Sequence, residues 1–227
     1  MNEPRPITAG HRLAHLLMIL GTGLFHMTCY ILVNRVTIWA SLPIHDYSLA
    51  IDHWIPYLGW TGTFYYLAFV FVAIGGGLII WKLPHRQFHR AVRTYLGMIL
   101  TGALLELLFA SASPWPSQMV AIQRHVHEVK YPDLYACLPS MHVALTIFPT
   151  CLSFSIFRSK LLRTILVISA GLITISTLTF KEHVFLDAVA GILLALVFYS
   201  VWRSGGRRKL KLSLVSHYFF KKYKEEP

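Results

Sequence analysis

The sequence has few charged residues, and this scarcity excludes an ordinary soluble domain. Only 14% of its 227 residues are Asp, Glu, Lys or Arg, whereas 55% are hydrophobic. Soluble domains contain about 25% charged residues. The length fits one domain. The composition therefore predicts a single membrane-embedded domain that covers residues 1–227.

Cysteine is also scarce, and its three positions form no disulfide framework. Cys29 and Cys151 lie inside apolar runs, where a cysteine ordinarily serves as a small buried hydrophobic residue. Cys137 lies beside the most distinctive motif but lacks the second cysteine of a CxxC pair. We predict no metal ligands and no cofactor.

Six stretches are apolar enough, and close enough to the roughly 20 residues required, to be helical membrane spans. The first is too long for the apolar region of a signal peptide, and no small-x-small cleavage site follows it. We therefore predict an all-α fold, a bundle of six transmembrane helices. The predicted spans are Leu13–Val33, Trp60–Trp81, Tyr95–Ser111, Pro139–Phe157, Leu162–Phe180 and Phe185–Trp202.

Positive charge is distributed unevenly between the segments that alternate across these spans. If the N-terminus is inside, 17 of the 21 Lys and Arg residues are inside as well. This asymmetry predicts that both termini are cytoplasmic. It explains the net charge of +11 without a nucleic-acid partner. The basic tail, residues 203–227, would either lie against anionic lipid headgroups or form a solvated flank.

The outer loops, residues 34–59 and 112–138, are longer and rich in Trp, Tyr, Pro and His. We expect them to form interfacial belts and a cap over an active site.

The first polar motif lies where the second long loop meets the fourth predicted span. It consists of Pro139, Ser140, Met141 and His142. Proline is favoured at the first position of a helix, which would place Ser140 and His142 in the first turn. The free N–H groups and the dipole of a first turn favour an anion. We therefore predict an anion-binding helix end.

The second motif crosses the short loop between the fifth and sixth predicted spans. His183 and Asp187 are four residues apart, so they share one face of a helix. A carboxylate bonded to one ring nitrogen fixes the histidine tautomer and leaves the other nitrogen able to attack or to accept a proton. Because Asp187 lies inside an apolar run, it is a functional candidate.

The predicted topology brings both motifs, with Lys181, to the extracytoplasmic face. A nucleophile, an acid and positive charge are what phosphoryl transfer requires. A second class of function is a proton- or metal-coupled transporter that uses the same residues and Glu106, because a His/His/Asp set can hold zinc. Transporters often contain inverted repeats and broken helices, and we find neither clearly in this sequence.

These motifs resemble the type 2 phosphatidic acid phosphatase (PAP2) superfamily. Pro139 to His142 is similar to the second family motif, P-S-x-H. His183 to Asp187, with Gly191, is similar to the H-x-x-x-D core and glycine of the third motif. The family's first-motif lysine and Arg-Pro pair and its third-motif arginine are absent.

These departures resemble the inositol phosphorylceramide synthase branch of the family. The corresponding stretches contain Pro114-Trp115 and Ser176-Thr177, and residues 52–60 are also similar to that branch.

The resemblance implies an integral membrane phosphatase or phosphotransferase that cleaves a lipid-linked phosphate. Phosphatidic acid, a prenyl pyrophosphate and a phospholipid headgroup are the candidate substrates. His183 would be the nucleophile that forms a phosphohistidine, His142 would protonate the leaving oxygen, and Asp187 would orient His183. Three further residues are predicted to bind phosphate, namely Ser140, Lys181 and Arg124.

No motif identifies the acceptor, so hydrolysis by water and transfer to a second alcohol both stay open. The predicted partners are the lipid phosphate and the surrounding membrane lipids, and the oligomeric state is open. The short loops favour a bacterial plasma membrane.

Overall fold

The structure is a computed structural model that describes residues 9–116, 119–125 and 135–222. In these residues the regular structure consists of helices joined by loops. These residues include no strand, only an isolated parallel bridge between His45 and Ser111. The predicted all-α fold is confirmed. The helices are α1 (Ala9–Trp39), α2 (Ala50–Trp54), α3 (Gly62–Val70), α4 (Gly77–Trp81), α5 (His85–Leu108), α6 (Ala121–His125), α7 (Met141–Ile156), α8 (Lys160–Thr179) and α9 (Phe185–Lys222).

Four of the described helical stretches are long and apolar enough to cross a membrane. They are Arg12–Trp39, His85–Leu108, Lys160–Thr179 and Phe185–Gly205, and α7 is a shorter apolar helix. Large apolar side chains such as Leu24, Leu161 and Val197 are exposed on them. A soluble monomer rarely exposes extended apolar patches, so contact with lipid explains these surfaces. Six spans and cytoplasmic termini stay predictions.

The second predicted span, Trp60–Trp81, consists of several helical segments. A short 3-10 turn leads into α3, and a π-helical segment, Phe71–Gly76, joins α3 to α4. π-helical turns are rare and are frequently found at functional sites. This segment packs against α7.

Helix α7 forms the centre of the bundle. Val143, Ala144, Phe148 and Leu152 are fully buried, and α7 packs against α3, α4, α8 and α9. Interiors are close-packed, so neighbours on several sides fix the position of this helix.

The N-terminus of α7 differs from the sequence prediction in one respect. Ser140 is the N-cap and keeps an extended backbone, with ψ 106°, so the helix begins at Met141. Pro139 therefore precedes the cap and does not occupy the first helical position. His142 is still in the first turn.

The turn between α8 and α9 is a Schellman motif. Lys181 N–H donates to the Leu178 carbonyl and Glu182 N–H donates to the Thr177 carbonyl. This motif places its left-handed residue where glycine is usual. Here that residue is Lys181, with φ 59°. A side chain in this conformation costs about 1–2 kcal/mol.

Helices α7 and α9 lie in close contact at Gly191. A Cβ added to Gly191 would lie 2.5 Å from the Ser140 carbonyl oxygen and 3.1 Å from Val143 Cβ. The nearest obstacle is backbone, which cannot move aside as a flexible side chain can. The motif glycine therefore allows the start of α7 to lie against α9.

We predict that Gly191→Ala destabilises the protein by about 1–3 kcal/mol, the usual cost of overpacking. The matched control is Gly171→Ala on α8, where nothing lies within 4 Å of the added Cβ. The control should be neutral or stabilising by about 0.5–1 kcal/mol, because alanine favours a helix interior. Thermal unfolding of the purified variants in detergent measures the difference. Equal melting temperatures would contradict the packing argument.

Candidate active site

The three predicted catalytic residues meet at one end of the bundle, here called the site end. His183 Nδ1 lies 3.2 Å from Asp187 Oδ2, and His183 Nε2 lies 3.5 Å from His142 Nδ1. The side chains of His183 and Asp187 are 5% and 1% exposed. Helix α9 supplies Asp187, and α7 supplies His142.

The Asp187 carboxylate determines which nitrogen of His183 carries the proton. An ionised carboxylate accepts only, so Nδ1 carries the proton that it donates to Asp187. Nε2 then has a lone pair and faces His142. The 3.5 Å between His183 Nε2 and His142 Nδ1 is longer than the usual 2.7–3.2 Å of a hydrogen bond. The arrangement therefore gives an oriented imidazole with a second imidazole beside it.

Asp187 is held by its place in the first turn of α9. Its Oδ2 also accepts a hydrogen bond from Val184 N–H at 3.1 Å, as an acidic residue at the third helical position commonly does. Its backbone carbonyl accepts from Ser140 N–H at 2.9 Å. Asp187 thus joins the two helix ends that carry the histidines.

Ser140 is completely buried, and its hydroxyl does not cap α7. The hydroxyl oxygen has no hydrogen-bond partner among the described residues, and the same is true of Asp187 Oδ1. A buried hydroxyl without a partner costs about 1–3 kcal/mol. Ser140 therefore keeps a donor beside the start of α7, where the helix dipole favours an anion.

Lys181 lies beside His183 in a small cavity of about 190 Å³ that is lined mainly by polar residues. Its ammonium donates to the Asp52 carbonyl at 2.9 Å. An ammonium has three N–H donors, so this bond occupies one of them. His53, to which the sequence assigns no role, also lines the cavity. The lining residues are Ser48, Asp52, His53, Pro114, Pro116, Lys181 and His183.

Arg124 is placed differently from Lys181. It lies exposed on the short helix α6, and its guanidinium donates to the Met119 carbonyl at 3.4 Å. It does not line the cavity beside His183. His125 lies next to it, and His127 is outside the described residues.

Asp52 organises the loops around the cavity. Its Oδ1 accepts from Phe185 N–H at 2.7 Å, and its Oδ2 accepts from Leu49 N–H at 2.8 Å. With the Lys181 bond to its carbonyl, Asp52 ties the loop before α3 to the start of α9. Residues 52–60 stand out as a motif in the sequence, which by itself gives Asp52 no role. Two of its partners, Phe185 and Lys181, are 133 and 129 residues away, and no sequence pattern identifies contacts at that distance.

The second outer loop is tied to the α8–α9 turn through Glu182. Trp115 donates to Glu182 Oε2 at 3.2 Å, and Gln123 donates to Glu182 Oε1 at 2.9 Å. Tyr57 donates to Gln123 Oε1 at 3.0 Å. Segments of both outer loops therefore surround the site, consistent with the expected cap.

Cys137 lies under this cap and is buried, with its sulfur 3.4 Å from Ser113 Oγ. Burial raises the pKa of the Cys137 thiol. A protonated thiol is a poor nucleophile, which favours a packing role. Glu106 is also buried, in α5.

A second cavity, of about 380 Å³, is lined mainly by apolar residues and extends to His142. Its walls come from α1, the α3–α4 run, α5 and α7, and include His26, Phe69, Val72 and Leu145. His142 itself packs against Tyr65 and Phe69, with ring centroids 4.7 and 5.2 Å away. The histidine pair therefore lies between a small polar cavity and a larger apolar one.

A helical, membrane-type bundle with two histidines and a carboxylate at one end is an arrangement suited to phosphoryl transfer. Residues 45–201 match the sequence profile of the PAP2 superfamily. This match covers more than half of the chain and includes both motifs, so the chain belongs to the PAP2 superfamily, as predicted. Membership indicates a phosphatase or phosphotransferase. No curated protein and no solved structure matched the chain.

We predict that Asp52→Ala destabilises the protein by about 2–3 kcal/mol, because two N–H groups at the site would lose their acceptor. The matched control is Asp46→Ala in the same loop. Asp46 also accepts from a backbone N–H, that of Ser48 at 2.8 Å, but it is exposed. The control should change stability by less than about 0.5 kcal/mol. Thermal unfolding in detergent compares the two, and a control effect as large as that of Asp52→Ala would contradict the assignment.

Proposed function

We propose that the protein is an integral membrane enzyme that removes or transfers the phosphate of a lipid through a phosphohistidine on His183. The observation that carries this proposal is the position of the histidine pair between two unlike cavities. The polar cavity with Lys181 suits a phosphate group, and the apolar cavity that reaches His142 suits a hydrocarbon chain. A lipid-linked phosphate combines both chemistries.

In the first half-reaction His183 Nε2 attacks phosphorus and the bond from phosphorus to the lipid oxygen breaks. His142, protonated at the start, gives its proton to that leaving oxygen. Asp187 stabilises the positive charge that develops on the His183 ring, as a carboxylate does in other histidine-dependent sites. The products are a lipid alcohol and a phosphohistidine.

In the second half-reaction an acceptor hydroxyl attacks the phosphohistidine. His142 takes the proton of that hydroxyl, the N–P bond breaks, and the electron pair returns to His183 Nε2. Water as the acceptor gives phosphate, and a second alcohol gives a new phosphate ester. Ser140, Lys181 and the first turn of α7 are the proposed donors to the charged phosphate oxygens. Arg124 is a weaker candidate, because it does not line the cavity.

The proposed orientation follows from the charge distribution. Inside segments hold most Lys and Arg residues, which favours both termini in the cytoplasm and the site end on the extracytoplasmic side. A bacterial plasma membrane fits the short loops. An introduced cysteine at exposed Trp54, labelled from outside whole cells by an impermeant maleimide, tests this orientation.

We predict that His183→Ala lowers phosphate release from lipid substrates to background, because the nucleophile is lost. The matched control is His45→Ala, an exposed histidine of the outer loop that the mechanism does not use. Brief reaction with a ³²P-labelled lipid phosphate should trap an acid-labile label in the wild type and in the control, but not in His183→Ala. Activity that survives in His183→Ala would sink the nucleophile assignment.

Two substitutions of Lys181 distinguish the effect of its charge on activity from the effect of its left-handed backbone on stability. We predict that Lys181→Gly keeps stability within about 1 kcal/mol of wild type, since relief of the left-handed conformation offsets the lost hydrogen bond to Asp52. Its activity should nevertheless fall by about 100-fold, as when one oxyanion donor is removed. Lys181→Ala should lose similar activity and more stability. Full activity in Lys181→Gly would show that Lys181 serves the turn alone.

One panel of activity assays identifies both the lipid substrate and the acceptor. Phosphatidic acid, a prenyl pyrophosphate and phosphatidylinositol are supplied with and without ceramide or diacylglycerol, and the products are identified by mass spectrometry. A headgroup transferred to ceramide would support the inositol phosphorylceramide synthase branch, and phosphate alone would support a phosphatase. No turnover on any lipid, with proton or metal flux in vesicles, would favour the transporter.

A further inference from the structure

Three histidines lie together at the end of the bundle opposite the site end. They are His15 on α1 and His85 and His89 on α5, and one ligand nitrogen from each lies within 4.8 Å of the others. His15 Nε2 and His85 Nδ1 are 3.0 Å apart. We propose that these residues bind a late first-row transition metal ion, with zinc as the primary candidate. This site is independent of the proposed function.

The helix directions separate this cluster from His142 and His183. Near the ends of α1 and α5, the His45 N–H bonds to the Ala110 carbonyl at 2.9 Å, and Ser111 N–H bonds to the Tyr135 carbonyl close to the start of α7. The C-terminal ends of α1 and α5 therefore lie at the site end of the bundle. Because His15 and His85 lie near the starts of these helices, they are at the opposite end.

The His15 side chain is held by the surrounding aromatic rings. His15 is 2% exposed, and its ring stacks on Phe88 at 3.7 Å and meets the edge of Trp81 at 6.3 Å. His85 and His89 are four residues apart in the first turns of α5, with ring centroids 4.4 Å apart. Residues at this spacing share one helix face. Packing thus aims nitrogens from two helices at one point.

The ligand types select the metal. Imidazole suits zinc, copper, nickel and cobalt, whereas magnesium and calcium prefer oxygen ligands. A Zn–N bond is about 2.0–2.1 Å, so tetrahedral ligands lie about 3.4 Å apart. The three nitrogens lie within 4.8 Å of one another, and binding would require them to close to that spacing. His85 is exposed, which gives an ion access and leaves a fourth position for water.

The charge of the neighbouring sequence strengthens this choice of metal. Arg12, Lys82, Arg86 and Arg90 flank the cluster in sequence. A basic surrounding repels cations at long range, so affinity must come from direct coordination. Imidazole bonds to zinc or copper supply it, and weak oxygen-type coordination does not.

A bound ion would tie α1 to the start of α5. Helix α1 is largely exposed on its membrane face and packs mainly on α5. The sequence by itself predicts no metal ligands here, because His15 is 70 residues from His85. Only the packing of α1 on α5 brings them together.

The test uses the full chain, purified without a histidine tag, stripped with a chelator and placed in detergent. Zn²⁺ titration by calorimetry should show a site of one ion per chain, and Co²⁺ should give the visible absorbance of a tetrahedral nitrogen site. Zn²⁺ at 100 times its Kd should raise Tm by several degrees. His85→Ala should weaken this site by about 100-fold, at least the effect of losing a supporting contact.

Two controls make the outcome decisive. His45→Ala removes an exposed histidine elsewhere and should leave Zn²⁺ affinity unchanged. His183→Ala should also retain the site, which separates it from any ion held by the catalytic histidines. Since His85 is exposed, its variant should keep the metal-free Tm, and His89→Ala provides a second variant. Zn²⁺ affinity that is equal in wild type, His85→Ala and His89→Ala, or no one-to-one site, would overturn the proposal and leave a stacked imidazole–aromatic cluster.

Discussion

The contact between α7 and α9 at Asp187 is the interaction on which the site depends. One residue supplies a carboxylate to His183 and a carbonyl to Ser140, so the ends of two helices are fixed by a single position. Gly191 makes this approach possible, because any Cβ there would meet the Ser140 carbonyl. Since α7 is also the central helix, its first turn is fixed both by the core and by α9.

The loops around this contact are organised by carboxylates that accept from distant groups. Asp52 accepts backbone N–H groups from two segments, and Glu182 accepts Trp115 and Gln123. All of these bonds except the one from Leu49 to Asp52 join segments that are far apart in sequence. An oriented nucleophile needs such support, because small displacements of catalytic groups cost large factors in rate.

The two ends of the bundle differ in chemistry. The site end combines a carboxylate, a lysine and two histidines between a polar cavity and an apolar one. The opposite end gathers three imidazoles, on α1 and α5, without a carboxylate in the group. The first set suits a phosphate and the second suits a metal cation. The segment that matches the PAP2 superfamily, residues 45–201, contains the whole first set, whereas His15 of the second set lies outside it.

The sequence by itself determined those features that depend on composition and on residues close together in the chain. The low charge content predicted the membrane class, the apolar runs predicted the helices, and the spacing of His183 and Asp187 predicted their shared face. The P-S-x-H motif at residues 139–142 and the second motif together predicted the superfamily. The tertiary structure decided what depends on distant partners. Packing between segments far apart in the chain, which no periodicity encodes, decides several features. They are the helix start at Met141, the hydrogen bonds of Asp52, the place of His53 in the cavity lining, the position of Arg124 and the His15–His85–His89 cluster.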